Sequence, residues 1–91
     1  METHDTTPVT SVGALRALAA EIFDVAPEEM TDDASFYEVL GIDSIQRIEF
    51  VVQLERRFGV AFTDDEAGGL DDLGRTFATL RAKGISLAPE H

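Results

Sequence analysis

Apolar residues recur at three- and four-residue spacing from Val12 through Leu15, Leu18 and Ala19 to Ile22, a single stripe that predicts a helix. Thr10 or Ser11 can cap its start, and Pro27 ends it near Asp24 or Val25, because a residue preceding proline is held out of helical backbone. The periodicity then breaks. Between Asp24 and Asp43 the chain has seven acidic residues and no basic one, punctuated by Pro27, Thr31, Ser35 and Gly41. That pattern predicts a long loop pinned by Met30, Phe36, Val39 and Leu40, and loops of this length in small domains are often functional. Helical spacing resumes over 44–58. Asp43 can cap this second helix, Gln46 can reach back to the cap's backbone, and Gly59 can end it in left-handed conformation. Val60-Ala61-Phe62 forms a short apolar anchor, and 63–69 reads as an acidic turn closed by Gly68-Gly69. A very short helix is expected over 70–73 and a last one over about 75–83, with Leu73, Phe77 and Leu80 inward and Gly84 as the stop. The predicted fold is all-α: a small four-helix bundle of three main helices and one short one, with a long first loop.

The second helix has two apolar sides. At about 100° per residue, Phe50, Val51, Leu54 and Phe58 share one arc of about 100° and form a core face. Ile45, Ile48 and Val52 share an arc of about 60° on the other side. One helix of a small bundle does not bury both, so the second stripe is expected at the surface as a docking face.

Composition narrows the chemistry. Ninety-one residues make one domain, and 44% apolar content with six Phe supplies its core. The formal charge is −11, which disfavours nucleic acid and anionic membranes and favours protein partners with basic patches. With no cysteine there is no disulfide, thiolate metal site or thiol nucleophile. The two histidines, His4 and His91, sit at the chain ends, poor positions for general acid–base catalysis. No apolar run approaches a membrane span and no signal-peptide pattern opens the chain, so a cytoplasmic monomer is expected. A calcium loop starting at Asp64 fails because Arg75 falls where a bidentate glutamate is required. Ser44, at a helix start, reads either as an ordinary cap or first-turn residue or as a carrier of phosphate: free amides and the positive dipole end favour an anion there, and with no histidine available to activate the hydroxyl another enzyme would have to act on it.

The run LGIDSI from Leu40 to Ile45, preceded by Phe36, resembles the motif of acyl carrier proteins, and the resemblance continues through IQRIEFVVQLERRFGV and FTDDEAGGLDDLGRTFATL to about Lys83. The resemblance implies that Ser44 is esterified with 4′-phosphopantetheine by a phosphopantetheinyl transferase using coenzyme A, with Asp43 as the preceding motif residue. Acyl groups would then ride as thioesters on the arm, presented to a ketosynthase, acyltransferase or acyl-activating enzyme of polyketide or fatty-acid-like biosynthesis; the protein itself would be a carrier and not an enzyme. Ile45, Ile48 and Val52 would meet partners, with Glu49 as the acidic contact, while Leu15, Leu54, Phe58 and Leu80 would line an interior cleft. An aminoacyl or peptidyl carrier is the alternative, disfavoured by aspartate in place of histidine before Ser44. One departure from fatty-acid carriers stands out: the second helix has Glu49 and Glu55 against Arg47, Arg56 and Arg57, a net of +1, so Arg47 and Arg56 join the expected partner interface. With the AGGLDD stretch, this looks more like discrete bacterial polyketide carriers. The chain reads as freestanding, with a flexible tail over 1–9, a carrier domain over 10–84 and a C-terminal tail over 85–91.

Overall fold

In the computed structural model, which describes residues 11–89, Ser11 opens α1 (Val12–Phe23) by accepting the Ala14 amide at 3.0 Å. Leu15, Ala19, Ala20 and Phe23 are buried, and Val12, Leu18 and Ile22 pack partly against the same core. Asp24 ends the helix in left-handed backbone at φ 58°. The tail expected over 1–9 lies outside the described residues.

The loop over 24–43 is firmly tied down. It opens with a 3-10 turn, Pro27–Glu29, which the apolar pattern does not reveal because none of its residues is buried. The Arg16 guanidinium of α1 donates to the Met30 carbonyl and pairs with Asp32 at 2.7 Å. The Asp32 carbonyl accepts the Gly74 amide at 2.9 Å, and the Phe36 amide donates to Asp71 at 2.8 Å. Met30 and Phe36 are buried and Leu40 half-buried, as expected, but Val39 is 67% exposed. Ile42 takes the inward role, because the chain turns through left-handed backbone at Gly41, φ 69°, between the two.

α2 (Ser44–Phe58) has the predicted capping box in full: Asp43 Oδ1 accepts the Gln46 amide at 2.8 Å, and Gln46 Oε1 accepts the Asp43 amide at 3.1 Å. Such a cap contributes about 1 kcal/mol. The short helix is not at 70–73. It is α3 (Asp64–Gly68), started by a second capping box in which Thr63 Oγ1 accepts the Glu66 amide at 3.1 Å and Glu66 Oε1 accepts the Thr63 amide at 2.9 Å. Leu70 is a fully buried anchor in the connection that follows. α4 (Leu73–Ala82) starts two residues earlier than expected, because Asp72 caps it by accepting the Arg75 amide at 2.8 Å. Leu73, Thr76, Phe77 and Leu80 face inward. Beyond it, in the stretch expected as a C-terminal tail, Ile85 and Leu87 pack partly on the core and the Val12 amide donates to the Ala88 carbonyl at 2.9 Å.

Three rings join these elements. Phe23 of α1, Phe36 of the loop and Phe50 of α2 meet pairwise with centroids 4.9, 5.2 and 5.7 Å apart in edge or tilted geometry. The architecture is a small all-helical bundle with a long ordered first loop.

Candidate functional site

The loop delivers Ser44 to the surface at the first turn of α2. Ile42 anchors the approach: it is buried, and its amide donates to the Phe36 carbonyl at 2.8 Å. Asp43 is fixed by the capping box, and Gln46 Nε2 reaches across to the Phe23 carbonyl at 3.3 Å, locking the start of α2 to the end of α1. Ser44 itself is exposed. Its hydroxyl has no hydrogen-bond partner among the described residues, so nothing there acts as a base toward it, and both histidines fall outside those residues. A fixed cap, an accessible hydroxyl and the positive end of a 15-residue helix make a site suited to holding a phosphate group.

Ile45, Ile48 and Val52 line up beside Ser44 with exposures of 76%, 59% and 39%, so the second apolar stripe is at the surface. Glu49 and Arg56 are also exposed. On the opposite side, Phe50 and Leu54 are buried and Val51 and Phe58 half-buried.

Arg47 sits differently from the rest of the expected partner set. It is half-buried and its Nη1 donates to the Ala67 carbonyl of α3 at 2.9 Å. The sequence does contain the signal for this, since at about 100° per residue Arg47 projects between Leu54 and Phe58 and away from the exposed stripe. An open groove of about 290 Å³ runs between α2 and α3, lined by Arg47, Ile48, Val51, Val52, Asp64 and Ala67. The far flank of α3 is held by Lys83, whose ammonium is 2.8 Å from Glu66. That ammonium, with the Thr63 amide, keeps the Glu66 carboxyl below its ordinary range. Among the described residues no cluster of His, Cys, Asp and Glu could hold a metal ion, and no helix is long and apolar enough to cross a membrane.

Residues 13–76, which include the whole of this site, match the phosphopantetheine attachment site family. The polyketide-8 synthase acyl carrier protein 2 of Streptomyces avermitilis is 36% identical over 78 residues, covering 86% of this chain and 90% of that one. The meromycolate extension acyl carrier protein of Mycolicibacterium aurum is 31% identical over 70 residues, covering 77% and 72%. Among solved structures, an acyl carrier protein from Enterococcus faecalis superposes with a TM-score of 0.67 at 25% identity, over 78% of this chain and 90% of that one. Fold and site thus define a carrier of a phosphopantetheine arm, which is not itself a catalyst. The chain belongs to the acyl carrier proteins, and its relatives favour acyl over aminoacyl or peptidyl cargo.

Proposed function

We propose that Ser44 is the residue that receives 4′-phosphopantetheine, from coenzyme A through a phosphopantetheinyl transferase. The acyl cargo then travels on the arm's thiol as a thioester, between a ketosynthase and an acyltransferase or acyl-activating enzyme of a polyketide or fatty-acid-like pathway. One observation carries this reading: an exposed serine hydroxyl, unpartnered among the described residues, at the capped start of α2 and in line with the exposed stripe of Ile45, Ile48 and Val52. Asp43 holds the helix start that presents it, and the stripe with Glu49 is the surface that partner enzymes grip. The carrier domain is residues 10–84, with Ile85 and Leu87 adding to its packing. It works as a monomer in the cytoplasm, where coenzyme A is at hand. The first named relative, a polyketide-8 synthase carrier, supports a polyketide pathway over a fatty-acid one.

Intact mass after incubation with coenzyme A and a broad-specificity phosphopantetheinyl transferase tests the assignment. The chain gains one phosphopantetheine, and Ser44→Ala gains none while keeping its melting temperature. An unmodified wild-type chain, or a modified Ser44→Ala, would sink it.

A further inference from the structure

The docking face leaves the charges on α2 to be explained. Projected at about 100° per residue, Ser44, Ile48, Val52, Ile45, Arg56 and Glu49 follow one another within an arc of about 140°. All six are exposed. Arg56 lies one turn beyond Val52, and about 10 Å past Glu49 on the same edge. Read away from Ser44, that edge runs acid, valine, base.

The other two arginines of α2 are engaged elsewhere. Arg47 donates to the Ala67 carbonyl. Arg57 projects about 100° round the helix from Arg56; it is half-buried and its Nε donates to Gln53 at 3.3 Å. A cation in the last turn complements the helix dipole, but Arg57 already supplies one. The dipole does not account for a second one in line with Val52.

We propose that Arg56 is a partner-selecting residue, matched by a carboxylate on the enzyme that docks here, about 18 Å along the helix from Ser44. The inference rests on the reading of the α2 stripe as the docking face. Glu49, nearer Ser44, calls for a cation. The complementary surface therefore has two signs: a cation near the mouth that receives the arm, an apolar seat for Ile48 and Val52, and a carboxylate at the far end. An enzyme whose docking surface is cationic throughout meets Arg56 as a like charge, which suppresses the complex, and charges at such a rim act mainly on association and its salt dependence.

The experiment uses the full chain carrying its phosphopantetheine and a malonyl transferase of fatty-acid type with a lysine- and arginine-lined carrier surface. The transferase is tested unaltered and with those cations changed one at a time to Glu. With the unaltered enzyme, Arg56→Glu lowers KM about three- to tenfold at unchanged kcat, and the gain shrinks at about 0.5 M salt as the charges are screened. One altered transferase reverses the preference and favours the wild-type carrier. Arg57→Glu makes the same change in net charge but moves KM less than about twofold, because it is off the face. Equal effects of Arg56→Glu and Arg57→Glu, or no reversal with any altered transferase, overturn the proposal. A chain that accepts no phosphopantetheine fails at the mass measurement, before any kinetics, and that failure belongs to the carrier reading. Docking-face failure is separate again, and shows as an unchanged KM in Ile48→Ala.

Discussion

Replacing Phe36 by leucine removes the ring that fastens the first loop to the helices while keeping an apolar side chain in its place. Phe36 is fully buried and touches Phe23 and Phe50, with ring centroids at 4.9 and 5.7 Å. Each aromatic pair contributes about 0.5–1.5 kcal/mol beyond its buried area, so Phe36→Leu costs about 1–3 kcal/mol. Truncation to alanine would cost about 3–5 kcal/mol, a large share of the 5–14 kcal/mol or so that a chain of this length has in total. At roughly 4–8 °C per kcal/mol, the leucine variant should melt about 4–24 °C lower. Its consequences should also be uneven. The Phe36 carbonyl accepts the Ile42 amide, two residues before Ser44, and the Phe36 amide donates to Asp71. Loosening the ring loosens both bonds, so hydrogen exchange at the Ile42 and Phe36 amides should accelerate more than exchange in the middle of α4. Phosphopantetheinylation should slow as the approach to Ser44 loses its fixed geometry. Calorimetry, amide exchange by NMR and timed mass spectrometry check the three effects. A melting temperature within 2 °C or so of wild type, with unchanged exchange at Ile42, would refute the view that this ring positions the site.

Two further perturbations separate surface from core and test the charge on α3. Ile48→Ala, at a 59% exposed position, should leave the melting temperature nearly unchanged and slow partner reactions, whereas Leu54→Ala, at a fully buried one, should cost about 2–5 kcal/mol; equal melting-temperature losses would show the stripe to be core. Glu66 is held below its ordinary value of 4.5 mainly by the Lys83 ammonium, so its ionised form favours the folded chain. That contribution is complete above the ordinary value and is lost as pH falls through the lowered one. Glu66→Gln, which retains the shape of the capping box, should flatten the fall in melting temperature over that acid range, and parallel curves for the two proteins would count against the pair.

What the sequence revealed and what it hid follow from how each element is stabilised. α1 and α2 are long and amphipathic, and their apolar spacing and caps are local signals, so both were readable to within a residue or two. α3 looks like a turn in the apolar pattern because none of its five residues is buried and two glycines stand at its end. Its signal was the Thr63-x-x-Glu66 spacing of a capping box, which the apolar pattern does not contain. Ile42 takes the inward place expected of Val39 for a different reason. In a loop there is no fixed period to say which apolar residue turns inward, and the left-handed backbone at Gly41 decides it. At the site, Ser44, its cap and the exposed stripe were all legible, since each depends on position along one helix. The contact of Arg47 with α3 depends on a helix that the apolar pattern does not disclose, although the projection of Arg47 toward the core side of α2 is legible.

That contact bears on how a carrier with a slightly basic α2 works. A five-residue helix is far below the length that is stable alone, so α3 persists only through its capping box and what holds it from either side. Arg47 grips its backbone from α2, and Lys83 grips Glu66 from the α4 side, while the Lys83 ammonium also lies 5.4 Å from the Phe62 ring centroid. The groove between α2 and α3 has Arg47 and Ala67 among its walls, so its width is set partly by this hydrogen bond. Arg47 and Arg56 thus carry the same charge on the same helix with different expected consequences: loss of Arg47 should be felt as a loosened α3 and a changed groove, and loss of Arg56, on the proposed docking face, only when a partner docks. If the docking face is the α2 stripe, partner choice should follow the direction in which each arginine projects and not the net charge on α2.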